Sequence, residues 1–232
     1  MDYHTEPLET YNWGKEMRLK HLQAPLKARE EGKLVVIGNM NFPKEMVAAI
    51  GDFVYLAGEP WSVAASREGE ADSLATQFVE EVERRGFQRD MCSYMRLYWG
   101  SMFLNKSPWG GFPKPDLITF QADCDSRGKW YQGVYEYLGA PWYCVEGNFH
   151  RIDGTLTPKE HAIRYLMDQY EEFIQWLTKH TGRPYREDVL TAALANAYRT
   201  RAYWGEVMQL QSHVPAPLDY KLVAVQATCP LC

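Results

Sequence analysis

The chain has 232 residues, of which 46% are hydrophobic and 24% charged, proportions that exclude a disordered or collagen-like protein and indicate one large folded domain or two small ones. Its formal net charge of −5 and the lack of a basic stripe argue against a nucleic-acid-binding protein. No apolar run reaches the length that a bilayer requires, and the first residues lack a signal-peptide pattern, so we expect a cytoplasmic protein with no membrane span.

The first fifty residues are predicted to form a helix, a strand and a short helix. An apolar pattern predicts the N-terminal helix over residues 8–31, with Gly32 ending it. Residues 34–37 are an uninterrupted, mostly β-branched apolar run, which suits a strand buried on both faces of a parallel sheet. Pro43 then opens a predicted helix over residues 44–50.

The alternation of strands and helices continues to residue 145. Further strands are predicted over residues 53–56, 117–120 and 142–145, and further helices over residues 71–85, 92–104 and 127–138. The second strand is expected to end at Gly58-Glu59-Pro60, and residues 105–115 are predicted to form turns. This alternation predicts an α/β fold with a doubly wound parallel sheet of about four strands.

Two long helices are predicted after the sheet. Thr157-Pro158-Lys159-Glu160 is a capping pattern for the first helix, which continues at helical spacing to Gly182. The second helix is predicted over residues 186–210, and the two are expected to form an antiparallel hairpin. We therefore divide the chain into an N-terminal helical segment (1–32), an α/β lobe (33–153) and a C-terminal part with the hairpin (154–232).

Two cysteines stand at junctions between predicted elements. Cys92 precedes a helix, and Cys124 follows a strand and precedes the next helix. In an open α/β sheet, ligands bind outside the carboxyl ends of the strands, and two thiolates at that edge could hold an iron–sulfur cluster. Cysteine is also among the most buried residue types, so the alternative is that both are small hydrophobic core side chains. The flanking Asp123 and Asp125 are placed to cap the following helix, and a catalytic role is the alternative.

Other common chemical motifs are absent from the sequence or incomplete. Gly110-Gly111 precedes Phe112-Pro113 rather than a helix, so there is neither a Walker A loop nor a dinucleotide-binding fingerprint. The six histidines do not fall in zinc-binding spacings. Cys229 and Cys232 form a Cys-x-x-Cys pair that could be redox-active or half of a zinc knuckle, although the helix that a thioredoxin-type pair requires does not follow.

The predicted helix next to Cys92 also carries Tyr94, Arg96, Tyr98 and Trp99. One interpretation is ordinary packing, with the guanidinium of Arg96 at the surface. The other interpretation is that these side chains form a cavity wall beside a cluster.

Several segments together resemble a known enzyme family. Three of them are Asp90-Met91-Cys92-Ser93-Tyr94-Met95-Arg96, then Pro113-Lys114-Pro115-Asp116 before the strand that leads to Cys124, then Lys129-Trp130-Tyr131. They resemble the 2-hydroxyacyl-CoA dehydratase / benzoyl-CoA reductase family. The resemblance sharpens to the B-type subunit of benzoyl-CoA reductase and covers essentially the whole chain. It is carried there by Tyr98-Trp99-Gly100, Leu104-Asn105-Lys106, Trp176-Leu177, Thr181-Gly182-Arg183 and Val214-Pro215-Ala216-Pro217-Leu218-Asp219.

The resemblance implies a subunit of two doubly wound lobes that holds a [4Fe-4S] cluster by three cysteines. Cys92 and Cys124 match the first two ligands, whereas the third would lie beyond residue 232. Cys229 and Cys232 do not match that third ligand. The chain thus resembles an N-terminal portion or a truncated relative, in which residues 154–232 include the start of a missing second lobe. Ligation by three cysteines would leave one iron open to substrate or water.

The resemblance also implies partners and a reaction. The subunit would pair with a homologous C-type subunit and receive low-potential electrons from separate ATP-hydrolysing iron–sulfur subunits, so that ATP would bind only to the partners. Benzoyl-CoA would be reduced to a cyclic dienoyl-CoA in a site lined by Ser93, Tyr94 and Arg96.

Three hypotheses for function follow. The first is an iron–sulfur catalytic subunit, present here as a fragment, of a benzoyl-CoA reductase-like oxidoreductase that dearomatises an aromatic acyl-CoA. The alternative within the family is a 2-hydroxyacyl-CoA dehydratase subunit, because both branches share the motifs. The third is a non-catalytic, cluster-free scaffold that binds a partner subunit through the helical hairpin, with its cysteines as packing residues.

Overall fold

Four parallel strands form one sheet in the computed structural model, which describes residues 8–67, 74–146 and 160–218. In chain order the strands are β1 (Leu34–Gly38), β2 (Phe53–Ala57), β3 (Leu117–Ala122) and β4 (Trp142–Glu146). Their order in the sheet is β2-β1-β3-β4. The chain therefore winds to one side of β1 and then to the other, which confirms the predicted doubly wound arrangement.

Eight helices occur within the described ranges. They are α1 (Thr10–Lys27), α2 (Lys44–Ala48), α3 (Gly58–Arg67), α4 (Leu74–Arg84), α5 (Ser93–Leu104), α6 (Asp125–Leu138), α7 (Glu160–Thr181) and α8 (Glu187–Leu210). The predicted strands and helices are present with shifted ends. The capping pattern before α7, together with Cys229 and Cys232, lies outside the described residues.

Two apolar cores cover the sheet. Successive strand side chains point to opposite faces, and accordingly Val35 and Ile37 of β1 belong to the first core while Val36 belongs to the second. Residues of α3, α4, α5 and α6 complete the first core, and residues of α2 and α7 complete the second. The continuous apolar run of β1 is thus explained by burial on both faces.

Helix α3 was not predicted, because Gly58-Glu59-Pro60 was expected to be only the end of β2. The helix instead begins at Gly58, directly after Ala57 and without an intervening loop. Pro60 is compatible with this start, since the first-turn backbone N–H groups of a helix have no intrahelical partner. A Cβ atom on Gly58 would lie 2.6 Å from the Tyr131 hydroxyl oxygen and 2.9 Å from the Trp130 ring. Gly58 therefore permits close approach of α6 rather than ending a strand.

The two long C-terminal helices pack on different parts of the lobe. Helix α7 contacts β4 and buries Phe173 and Leu177 completely. Helix α8 contacts α2 and has no buried residue. Three of its large side chains, Leu194, Tyr198 and Tyr203, are 49, 75 and 67% exposed. No helix in the described parts of the chain is both long enough and apolar enough to cross a membrane.

Candidate functional site

Cys92 and Cys124 each occupy the N-cap position of a helix. Cys124 lies between the end of β3 and α6, has an extended backbone with a φ of −151°, and is exposed. Cys92 precedes α5, is half-buried, and packs against the first core. Because the N-terminal end of a helix carries unpaired N–H groups and a partial positive charge, it is a suitable position for an anionic ligand atom.

Both cysteines lie at the edge of the sheet where the strands have their carboxyl ends. Cys124 is at this edge because it follows β3. Cys92 is linked to the edge through Ser62 of α3, whose hydroxyl is 2.8 Å from the Gly58 carbonyl oxygen and 2.9 Å from the Tyr94 carbonyl oxygen and can donate to either. Since Gly58 directly follows β2, the first turn of α5 is held beside the carboxyl end of that strand. That Cys92 and Cys124 share one site stays a prediction.

The thiols of Cys92 and Cys124 fit part of a cluster ligand set. Within residues 8–67, 74–146 and 160–218, no group of three or more His, Cys, Asp or Glu side chains is arranged to hold a metal ion. Cys144 on β4 is a poor further ligand, because burial raises the pKa of its thiol to about 11 and so disfavours the thiolate. A third ligand would have to come from outside the described residues, and the cluster stays a prediction.

Next to Cys124, five residues form a closed ring of polar contacts, here called the edge ring: Met40, Asn41, Glu59, Asp123 and Arg127. The Met40 backbone N–H donates to one Glu59 carboxylate oxygen at 2.9 Å, and Arg127 Nε donates to the other at 2.8 Å. Arg127 also forms an ion pair with Asp123, whose second oxygen accepts a hydrogen bond from Asn41 Nδ2 at 2.8 Å. The edge ring therefore joins the turn after β1, the start of α3, the end of β3 and the first turn of α6.

The charged members of the edge ring are largely shielded from solvent. The side chains of Glu59, Asp123 and Arg127 are 9, 9 and 15% exposed. Burial disfavours the charge on Arg127, but its hydrogen bond to Asp123 and the nearby Glu59 carboxylate outweigh that effect, so its pKa is raised. Asp123 was expected to cap α6. Its carboxylate instead pairs within the edge ring, and Cys124 is the N-cap residue.

The turn after β1 is also fixed from the sides. The fully buried Asn39 binds Gln121 twice, accepting from its N–H at 2.9 Å and donating to its carbonyl at 3.3 Å. The Tyr55 hydroxyl donates to the Asn39 carbonyl at 2.8 Å, and the Tyr131 hydroxyl donates to the Gly38 carbonyl at 2.5 Å. These contacts hold β1 and β3 together at the switch point of the sheet, where α/β proteins bind ligands.

The three predicted lining residues have different surroundings. Ser93 and Tyr94 are exposed beside Cys92. Arg96 is not a surface guanidinium, because it pairs with Glu83 of α4, donates to the Arg89 carbonyl at 3.0 Å, and is 11% exposed. These contacts give Arg96 a structural role between α4 and α5. The substrate-lining role of the three residues stays a prediction.

Sequence reasoning missed most of the polar network at this edge. Glu59 was assigned to a strand end, and Asn39 was not singled out. The spacing of Asp123 and Arg127, four residues apart at a helix start, is the one signal that could have indicated an ion pair. The other contacts join residues far apart in the chain.

Comparison with known proteins places the chain in a family. It matches the family model described as 2-hydroxyglutaryl-CoA dehydratase, D-component, over residues 39–229. The (R)-phenyllactyl-CoA dehydratase alpha subunit of Clostridium sporogenes is 24% identical, over 84% of this chain and 46% of that protein. Lactoyl-CoA dehydratase subunit alpha of Anaerotignum propionicum is 26% identical, over 83% of this chain and 47% of that protein. The (R)-2-hydroxyisocaproyl-CoA dehydratase alpha subunit of Clostridioides difficile is 26% identical, over 83% and 46%.

The chain spans just under half the length of these three relatives. The region that matches the family model includes Cys92, Cys124 and the whole edge ring. The dehydratase part of the resemblance found in the sequence is thereby confirmed, whereas none of these three relatives is a benzoyl-CoA reductase. The chain belongs to the 2-hydroxyglutaryl-CoA dehydratase D-component family.

Proposed function

We propose that this chain is the cluster-bearing lobe of a 2-hydroxyacyl-CoA dehydratase alpha subunit, which removes water from a 2-hydroxyacyl-CoA. The observation that carries the proposal is the family match, which spans the carboxyl edge of the sheet with both cysteines. The three relatives support it, since each is named as an alpha subunit of a dehydratase for a 2-hydroxyacyl-CoA. The sequence motifs alone favoured the benzoyl-CoA reductase branch of the family. The family model and the three relatives instead favour the alternative hypothesis, a 2-hydroxyacyl-CoA dehydratase subunit.

In this proposal Cys92 and Cys124 supply two of the thiolate ligands of a [4Fe-4S] cluster, which when bound would supply one-electron chemistry and an iron open to the substrate. The helix N-termini that carry the two residues favour the negative charge of the ligand atoms. The first core packs against Cys92 and shields that side of the site from water. Tyr98 is part of that core, with ring centroids 5.3 Å from Trp130 and 5.1 Å from Phe112.

The proposal includes partner subunits. The relatives are alpha subunits, and helix α8 supports a protein partner here because its apolar side chains are exposed. A large exposed apolar surface commonly marks an interaction site. Electron delivery driven by ATP would be the task of separate proteins, since no nucleotide-binding loop is present in this sequence.

The cluster is tested by anaerobic reconstitution with iron and sulfide. In the assembled enzyme, where a third ligand would be present, the wild-type chain is expected to bind about four irons with the absorbance of a [4Fe-4S] cluster. Cys92→Ser combined with Cys124→Ser should abolish this binding, because serine is a poor replacement for a thiolate. Cys144→Ser is the matched control and should retain it. Full iron binding by the double variant would contradict the ligand assignment.

The reaction is tested on the assembled enzyme with all its subunits. Dehydration of an (R)-2-hydroxyacyl-CoA is expected, and it should be lost with the double cysteine variant. Reductive dearomatisation of benzoyl-CoA without any dehydratase activity would restore the first hypothesis from the sequence. Iron-free protein that assembles normally with its partners would instead favour the scaffold hypothesis.

A further inference from the structure

The edge ring surrounds the chain on both sides of Cys124. Asp123 precedes this cysteine directly, and Arg127 lies one helical turn after it. The Arg127 backbone N–H also donates to the Cys124 carbonyl at 3.1 Å. Any movement of Cys124 away from the sheet would therefore separate Arg127 or Asp123 from its partners in the ring.

Stability alone is a weak explanation for the edge ring. Desolvation of buried charges offsets most of their mutual attraction, so that apolar side chains of the same volume often stabilise a protein equally well. An ion pair with fixed donor and acceptor directions does, however, hold backbone segments in one arrangement. Arg127 is suited to this task because its planar guanidinium can bind two carboxylates in fixed directions.

Helix α3 connects the edge ring to the second cysteine. Its first turn carries Glu59, which binds Arg127, and Ser62, whose hydroxyl reaches the Tyr94 carbonyl in the first turn of α5. The segments that carry Cys92 and Cys124 are thus both fixed to the same turn of α3. The distance between the two segments depends on that common support.

We infer that the edge ring positions Cys124 relative to Cys92, with Arg127 as the positioning residue. The guanidinium holds the first turn of α6 against the start of α3 and, through Asp123 and Asn41, against the turn after β1. Arg127 has this role without touching the substrate. The inference rests on the proposed function for what the two thiols bind, but its structural part can be tested on the metal-free protein.

The first test follows hydrogen exchange of backbone amides in the metal-free protein. In Arg127→Gln, the Met40 amide is expected to exchange about tenfold faster. The reason is that the Glu59 carboxylate, which accepts the hydrogen bond from this amide, loses its own contact with Arg127. The amides of the first turn of α6 should become less protected as well. Arg164→Gln removes an exposed i,i+4 pair with Glu160 on α7, and this matched control should change neither site.

A milder variant covers the case in which Arg127→Gln does not fold. Asn41→Ala removes an exposed hydrogen bond of the edge ring and leaves both ion pairs in place. It should loosen the first turn of α6 in the same direction and by less. The inference would be overturned if Asn41→Ala left amide exchange in the first turn of α6 unchanged and any folded Arg127→Gln protein did the same.

The second test measures iron content and the EPR spectrum after reconstitution. Arg127→Gln is expected to lose at least about half of the bound iron and to broaden the signal of the reduced cluster, since contacts around the ligands orient them. Arg127→Lys should restore part of both, whereas Arg164→Gln should match wild type. Wild-type iron content and spectrum in Arg127→Gln would overturn the inference. A wild-type protein that takes up no iron would contradict the proposed function. The hydrogen-exchange data on the metal-free protein would then still show whether the edge ring holds the first turn of α6 in place.

Discussion

Burial determines the charge state of several side chains around the sheet. It raises the pKa of the fully buried Tyr55 and Tyr131 well above the usual value, so both hydroxyls stay protonated and can donate to the turn after β1. Burial acts in the opposite direction on a histidine, because the charged form of that residue is the protonated one. His21 of α1 is the example here.

We predict that His21 makes the protein less stable in mild acid. Burial, with the nearby Lys44 charge, lowers its pKa from 6.5 to about 4. The native state therefore holds the neutral form, and this contribution to stability is complete above pH 6.5 and is lost as the pH falls toward 4. Urea unfolding at pH 5 and pH 7.5 should differ by about 1–2 kcal/mol more in wild type than in His21→Gln.

Exposed His180 on α7 gives the control for this pH dependence. His180→Gln makes the same substitution at an exposed histidine and serves as the surface control. Equal pH dependence in wild type and His21→Gln would show that another group is responsible.

At the scale of elements, the start of α3 is the least ordinary feature of the lobe. A glycine and a proline two positions apart usually indicate a turn, whereas here Gly58 and Pro60 belong to the first turn of a helix. Gly58 is required by its neighbours, since Tyr131 and Trp130 of α6 occupy the space beside it. The contact packs the start of α3 against the second turn of α6.

We predict that Gly58→Ala destabilises the protein by about 1–3 kcal/mol, because the added methyl group overlaps the Tyr131 hydroxyl and the Trp130 ring. Gly128→Ala in α6 is the matched control, since a Cβ atom there meets no atom within 4 Å. It should raise the free energy of unfolding by up to about 1 kcal/mol, as alanine favours helices over glycine. Equal effects of the two substitutions in denaturant titrations would contradict the close packing.

The strands and most helices of this protein were predictable because their signals are local. The apolar run of β1 and the regular stripe of α4 each identify an element without knowledge of the rest of the chain. Helix α3 was missed because its apolar side chains follow residues that locally favour a turn. The edge ring was also not predictable. Asn41 and Asp123 are 82 residues apart, and Glu59 and Arg127 are 68 apart, so only the folded sheet brings them together.

The cysteines are an intermediate case. The position of Cys124 after a strand and before a helix was sufficient to place it at the carboxyl edge, because the edge is a property of parallel topology, whereas Cys92 follows another helix and its place depends on the folded structure. Their chemical role was not determined by position. Their role as cluster ligands was inferred from a resemblance to a known family. The family match supports membership of that family and leaves the ligation itself a prediction.

For the molecule as a whole, helix α8 is the part that the lobe covers least. Its apolar residues lie on opposite sides of the helix, as Tyr198 and Tyr203 illustrate, and both are more than half exposed. Under the proposed function, a partner subunit would cover this surface.

We predict that the amides of residues 197–210 exchange with solvent much faster than those of residues 169–177 in the isolated chain, because the former lack buried apolar contacts. In the assembled enzyme, residues 197–210 should become protected, while residues 169–177 should be protected in both forms. Hydrogen exchange with mass spectrometry measures both segments. Residues 197–210 that stay unprotected in the assembled enzyme would contradict a partner on α8.

Because α3 begins directly after Ala57, the chain cannot tolerate an insertion at this junction. One extra residue placed between Ala57 and Gly58 would rotate the following helix by about 100° and turn the Glu59 carboxylate away from Arg127. An extra residue within 212–217 would meet no such restriction, because these residues are exposed and surface turns absorb insertions readily. Insertions that preserve folding should therefore be found within residues 212–217 and be absent between Ala57 and Gly58.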